Sequence, residues 1–320
     1  MKMIWIFVVF AVLGSIGIVA PLTFAQEIIE PEIKPDVYDI GILLTNIGEI
    51  DTKSGAYELT FWVTISSDDV DFLKNPPPKE MDFTNGENIN ITGESISPHF
   101  YKSKINGIFY NDMNFQNYPF EKMNLVIHME PFFPLASDKL VFTVHDEFSG
   151  KVDSNSLSVP GWILGEMSFD VTTSDSPWGS FSHIEADLPI GTSPLSAFLK
   201  KIFPIMILVG FAYATFWMST RNTSDRIAIL TGSLISAIFF HSIFLLGELP
   251  PLGYLTLADK IMMSAYGFFV ITLIAILIHR HRLEISPDDY TITLGNNLDK
   301  KFRILAPIIS IMIFLAVYQI

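Results

Sequence analysis

The chain has no cysteine in its 320 residues, so it can form neither a disulfide nor a thiolate metal site. It also has no arginine before Arg221. Residues 26–193 carry 27 carboxylates against nine lysines. Nucleic acid and anionic lipid headgroups are therefore poor partners for that segment. The charge favours cations, although a solvated, soluble surface accounts for the same composition. No Ser-His-Asp or other catalytic constellation appears, so neither an enzyme nor a cofactor is expected.

Apolar residues are plentiful and unevenly placed. Residues 1–25 begin with Lys2, run through an apolar core and end Thr23-Phe24-Ala25. This is the pattern of a secretory signal peptide, with an uncleaved membrane helix as the alternative. An acidic leader holding Pro31 and Pro35 follows. From Val37 the pattern is that of short strands separated by Asn, Asp, Ser, Gly and Pro clusters. Residues 39–44 and 56–65 flank the turn sequence Asp51-Thr52-Lys53-Ser54-Gly55 and read as a hairpin. Further strands are expected at 107–110, 125–129, 140–144, 162–172 and 181–188. Many short strands at this spacing predict an all-β, immunoglobulin-like sandwich over 26–193.

Residues 194–320 hold four apolar stretches, at 199–218, 227–246, 257–278 and 304–318. About 20 residues are needed to cross a bilayer; the last stretch is short, which tilt or local thinning accommodates. The expectation is an all-α, four-helix transmembrane domain. Arg221 and Arg226 separate the first two stretches. His279-Arg280-His281-Arg282 follows the third, and Lys300, Lys301 and Arg303 precede the fourth. The positive-inside rule then puts the β domain, the second-to-third connection and both mature termini outside a cell membrane. His279 and His281 have metal-like spacing, but a basic cap at the membrane edge is the simpler account.

The run Asn111-Asp112-Met113-Asn114-Phe115-Gln116-Asn117-Tyr118-Pro119-Phe120-Glu121 resembles the signature loop of the pentameric ligand-gated ion channels (Cys-loop receptors). Pro194 and Pro204 match the two prolines of that family's first helix, and Phe216-Trp217 its end. Trp162 matches a Trp of the later strands. Leu249-Pro250-Pro251-Leu252-Gly253-Tyr254-Leu255-Thr256 is similar to the loop after the pore helix, and Ser264-Ala265-Tyr266-Gly267 continues into the third helix. The resemblance covers nearly the whole mature chain. It is to the prokaryotic type, which lacks the named disulfide, and residues 111–132 are closest to a bacterial amine-gated member. Two features depart from the pattern. Thr192 stands where the family usually has Arg, and Ser66-Ser67-Asp68-Asp69 replaces a Trp-x-Asp motif. With the Arg gone, Lys200 or Lys260 is the expected partner for Glu121.

The resemblance implies a homopentamer, four further copies joining each chain, with inorganic cations passing a pore lined by the second helix. That helix is rich in small and hydroxylated residues, as water lining requires; close packing through small residues is the alternative. One stripe at helical spacing is Ala228, Gly232, Ile235, Phe239, Ser242 and Leu246. A one-residue shift gives Ile229, Ser233, Ser236, Phe240 and Ile243. Aligning Asp225-Arg226 with the family's acidic-basic step favours the first. Asp225 would then form a ring that selects cations, with Ile235 and Phe239 as apolar constrictions. Asp225 as a helix N-cap is compatible with this. His241 is the one ionisable group in mid-helix, read either as a functional group or as an imidazole bonding a neighbouring helix backbone.

The resemblance also implies gating contacts at Asp51, Pro119, Phe120, Glu121, Pro250, Pro251 and Tyr254. It further implies an aromatic ligand box between neighbouring copies, drawn from Phe132, Phe133, Trp178, Phe181, Tyr101 and Tyr110. Such a box suits an amine. Protons are the other trigger considered, because the carboxylates of Asp68-Asp69-Val70-Asp71 would raise one another's pKa or take Ca²⁺; a solvated acidic turn is the plainer reading. Asn90-Ile91-Thr92 is a glycosylation sequon. The expected function is a ligand- or proton-gated, cation-selective channel. A non-conducting membrane-anchored sensor is the alternative.

Overall fold

The computed structural model describes residues 34–77, 81–131, 135–152, 157–285 and 289–319. The expected signal peptide and nearly all of the acidic leader lie outside them, and residues from Pro35 onward form one compact unit.

The described residues form ten strands in two sheets. The expected hairpin is β1 (Asp36–Asp51) with β2 (Ala56–Ser66). Its turn is built by Asp51, whose carboxylate accepts bonds from the Lys53 N–H at 2.9 Å and the Ser54 hydroxyl at 2.7 Å. The Ser54 bond, then the Lys53 bond, holds the Asp51 pKa below the ordinary carboxylate value. Gly55 closes the turn at φ 75°, and a Cβ there would lie 2.6 Å from the Asn111 carbonyl oxygen. Only glycine satisfies both constraints.

The first sheet runs β3 (Gly86–Ser97), β4 (Phe100–Tyr110), β2, β1, β6 (Leu140–Val144), with β7 (Gly150–Lys151) also on β1. The second runs β5 (Lys122–Met129), β10 (Gly179–Thr192), β8 (Trp162–Leu164), with β9 (Ser168–Ser176) also on β10. Alternate residues of each sheet face one core. Tyr57, Leu59, Phe61, Val63 and Ile65 come from β2; Ile184, Ala186, Leu188 and Ile190 come from β10. Tyr57 joins the sheets, donating to the Val126 carbonyl at 2.8 Å and accepting the Val126 N–H at 2.9 Å.

One strand, β3, has no counterpart among the expected strands, and one expectation needs correction. β3 has a polar sequence, GENINITGESIS, with two register shifts and little burial, so it carries no alternating signal. The single strand expected at 162–172 is two, because Gly165-Glu166-Met167 breaks the pairing between β8 and β9.

Four helices follow, each long and apolar enough to cross a membrane: α1 (Pro194–Trp217), α2 (Thr223–Glu248), α3 (Leu257–Ile285) and α4 (Asp289–Tyr318). The chain is therefore a β sandwich followed by four membrane-spanning-capable helices. α1 begins earlier than the apolar run, with Pro194 in its first turn, where no N–H is needed. A π-helical turn at Phe198–Ile202 precedes Pro204, which cannot donate to the ladder. α4 is not short. Polar residues such as Asn296, Asn297, Lys300 and Lys301 interrupt the hydropathy signal but not the helix. Only 6% of its apolar window is buried, against 39% for α3, so α3 is central and α4 peripheral.

Candidate functional site: the head–helix junction and the free face of α2

The 111–121 segment docks on the helix ends nearest the β domain. Leu257 and Ala258, in the first turn of α3, donate their N–H groups to the carbonyls of Gln116 and Tyr118 at 2.9 and 3.0 Å. These are amides a helix leaves unpaired at its start. The Phe115 N–H donates to the Tyr254 hydroxyl at 3.0 Å, and the Tyr118 hydroxyl donates to Glu248 at 3.1 Å. Glu248 pairs with Lys201 of α1, whose ammonium also lies 5.9 Å from the Tyr118 ring centroid. Burial, then Glu248, pushes the Tyr118 pKa far up, so its proton stays. Of the expected gating residues, Pro119, Glu121 and Tyr254 meet here. Pro119 follows a cis peptide, and its carbonyl accepts a bond from the Thr192 hydroxyl at 3.1 Å. A neutral bond from β10 thus holds the segment at the position of Thr192. Asp51 is occupied with its own turn, which touches the segment through the Asn111 N–H to Gly55 carbonyl bond at 3.1 Å.

Glu121 pairs with neither Lys200 nor Lys260. It is 7% exposed, and its Oε2 is buried without a hydrogen-bond partner. Lys200 is exposed, and Lys260 bonds the Tyr318 carbonyl at 3.4 Å. Burial raises the Glu121 pKa, opposed by a hydrogen bond from its own backbone, with smaller effects from Glu248, which raises it, and Lys201, which lowers it. The folded state therefore keeps this proton to higher pH than the unfolded chain does. The resulting stability is full below the unfolded pKa and is lost as pH rises through the folded one. Glu121→Gln mimics the protonated form. At neutral pH it should be more stable than wild type, by about 1.4 kcal/mol for each pH unit by which the folded pKa exceeds the unfolded one, because Gln cannot take on the buried charge. The gap should close on acidification. Thermal unfolding of both proteins across pH checks this; a gap independent of pH would refute it.

α2 has two unlike faces. Arg226, Leu230, Ser233 and Ala237 are buried against the bundle. Ala228, Gly232, Ile235, Phe239, Ser242 and Leu246 lie on the opposite, exposed face, with Ile235 49% and Phe239 60% exposed. In the shifted stripe, Ser233 is buried and Phe240 half-buried, while Ile229, Ser236 and Ile243 are exposed. Asp225 is exposed in the first turn, two residues past the Thr223 start, so it is not the N-cap. There it still favours the helix dipole.

Two polar networks hold α2 from behind. His241 bonds side chains rather than backbone: Asp259 at 2.9 Å and Tyr266 at 3.0 Å, both on α3. Asp259 also accepts the Thr256 N–H and hydroxyl at 2.9 and 2.8 Å, and the Thr256 hydroxyl accepts the Asp259 N–H at 3.1 Å. This is a reciprocal capping box, and Thr256-x-x-Asp259 was its sequence signal. At the far end, Arg226 is fully buried and bonds Asp299 of α4 at 2.9 Å and His279 of α3 at 3.4 Å. His279 therefore does not belong to an exposed basic cap; it is 2% exposed and faces Asp299 at 3.4 Å.

The expected ligand residues are scattered in burial. Trp178 is 68% exposed at the tip of the β9–β10 hairpin, whereas Phe181 and Tyr101 are buried. Tyr101 bonds Glu94 at 2.8 Å, and the half-exposed Tyr110 bonds Glu87 at 3.2 Å. Phe132 and Phe133 lie outside the described residues. In the acidic turn, Asp71 accepts the Leu73 N–H and pairs with Lys74 at 3.0 Å. The Lys74 bond lowers the Asp71 pKa, the reverse of the expected mutual raising.

No known family model matches the chain, and a comparison with curated proteins finds no match. The β sandwich followed by four apolar helices is compatible with a pentameric-channel fold. The four helices make a multi-pass membrane protein the natural reading.

Proposed function

We propose that the chain assembles as a homopentamer forming a ligand- or proton-gated, cation-selective channel, with the β domain outside the cell membrane. The observation that carries this reading is the free face of α2. A single chain leaves Ala228, Gly232, Ile235, Phe239, Ser242 and Leu246 unpacked, with Asp225 at the same helix's start. Five such faces around an axis would enclose a lumen with a carboxylate ring at one mouth and apolar rings within. The mouth near Asp225 adjoins the basic ends of α3 and α4, which supports an inward orientation.

The junction supports a route for gating. An agonist between heads, or a proton at Glu121, would shift the 111–121 segment. That segment holds the first amides of α3 and, through Glu248, the outer end of α2. The Thr256–Asp259–His241 chain leads from the same end of α3 to mid-α2. An aromatic ligand site between neighbouring heads, drawing on the exposed Trp178, would take an amine from the external solution.

The test is current across a planar bilayer holding the purified pentamer under a salt gradient, at neutral pH, in external acid and with a panel of amines. The expected current reverses near the cation equilibrium potential, and Asp225→Ala moves the reversal toward zero. Silence under every condition, in folded pentamers, would favour the non-conducting sensor.

A further inference from the structure

The same three-residue pattern, His-x-Glu, occurs in two neighbouring strands: His128-Met129-Glu130 at the end of β5 and His183-Ile184-Glu185 in β10. Pairing is antiparallel, with His128 opposite Glu185. The core takes Ile127 and Met129 of β5 and Ile184 and Ala186 of β10. Strand alternation then puts both histidines and both glutamates on the sheet's other face. The His128 Nδ1 lies 3.0 Å from the His183 Nε2, and the Glu185 carboxylate lies 3.9 Å from that Nδ1. All three donor atoms lie within 4.8 Å of one another.

We propose that His128, His183 and Glu185 form a binding site for a first-row divalent transition cation of the Zn²⁺ class. Zinc sits about 2.0–2.1 Å from imidazole nitrogen and about 2.0–2.2 Å from carboxylate oxygen, so a shared ion reaches donors up to about 4.3 Å apart. The two pairs that include the His128 Nδ1, at 3.0 and 3.9 Å, lie within that reach, and a small rotation of the part-exposed Glu185 carboxylate would close the third. Two imidazoles and a carboxylate favour such an ion over Ca²⁺ or Mg²⁺, which take oxygen donors. A supporting carboxylate is also in place. Glu130 accepts a bond from the His183 Nδ1 at 2.9 Å, which fixes the tautomer and aims the Nε2 lone pair at His128. The His183 and Glu130 side chains are 13% and 12% exposed, while His128 and Glu185 are 28% and 42% exposed. The orienting pair is thus sheltered and the rest open to solvent. One turn of the pleat beyond Glu185, the Asp187 Oδ1 is buried without a hydrogen-bond partner, leaving an uncompensated carboxylate oxygen on the same face. An ion here would tie β5, which leaves the junction segment, to β10, which runs into α1.

The site stands on binding and not on conduction, so its test leaves the channel reading untouched. Full-length protein in detergent is stripped with a chelator and titrated with Zn²⁺ against a chromophoric competitor, then with Co²⁺ while visible absorption is recorded. Wild type should take one tight equivalent per chain, with a Co²⁺ d–d band and a higher unfolding temperature on zinc addition. His183→Gln and the more exposed His128→Gln should each lose the tight equivalent and the band. Glu130→Gln should bind roughly 10–100-fold more weakly, the usual loss with an orienting carboxylate. Asp71→Asn, in the acidic turn, should bind as wild type. If either folded histidine variant binds zinc with wild-type affinity, or wild type shows no tight equivalent, the site is overturned.

Discussion

Asp299→Ala should destabilise the protein by about 3–5 kcal/mol, the characteristic cost of stranding one charge of a buried ion pair. Asp299 is 2% exposed and carries the only carboxylate bonded to Arg226 among the described residues, and Arg226 is fully buried. The His279 imidazole cannot take over, having no negative charge, and the Arg226 Nε already lacks a partner. Removing the whole network should cost far less than cutting it, because apolar replacements of similar volume end the desolvation penalty. Arg226→Met with His279→Leu and Asp299→Leu should therefore regain most of the loss. Denaturant unfolding in detergent, followed by size analysis of the oligomer, measures both effects. An Asp299→Ala protein within about 1 kcal/mol of wild type, well below the range for a cut buried pair, would mean that the pair is solvated. The consequence would reach the proposed pore, since Arg226 is the residue after Asp225 and anchors that end of α2 to α3 and α4.

Ile235→Ser should turn a closed pore into one that conducts without stimulus. The argument is additive over five copies of an apolar ring. If each hydroxyl lowers the cost of wetting by about 1 kcal/mol, roughly the value of one methylene, five lower it by about 5 kcal/mol. About 5.5 kcal/mol takes a two-state equilibrium from 1:99 to 99:1. Ile235 is half-exposed in the single chain, so the substitution should not strand a polar group in the bundle. Two further substitutions separate a pore effect from a fold effect. Leu230→Ser, on the packed face, should unfold or weaken the protein without opening it. Ile243→Ser, on the shifted stripe, should leave currents close to wild type. Spontaneous current from Ile243→Ser but not Ile235→Ser would move the lumen to the other register. Silence from both in folded pentamers would remove the channel reading.

Much of the architecture was legible in the amino-acid order. Alternating apolar residues at 56–65 face one core because a strand has a period of two, and uninterrupted apolar runs become helices because lipid offers the backbone no hydrogen bonds. The Asp51–Gly55 turn was equally plain, since its residues bond one another locally. Legibility failed where partners are distant in sequence. β3 is polar and is held in place by β4, so nothing in its own pattern marked it. The first turns of α4 have a helical sequence with no apolar run to betray it. Periodicity left two stripes of α2 open; only the packing of α1 and α3 decides which face is buried. Charge alone points Glu121 to a lysine, but the docking of the 111–121 segment leaves it sheltered, with its Oε2 unpartnered. Tertiary structure alone joins Arg226 to Asp299 across 73 positions and His128 to His183 across 55. A single sequence shows which groups can ionise or bind. Which of them meet is decided by the register of strands and the rotation of helices, which pack to bury their apolar faces as a whole.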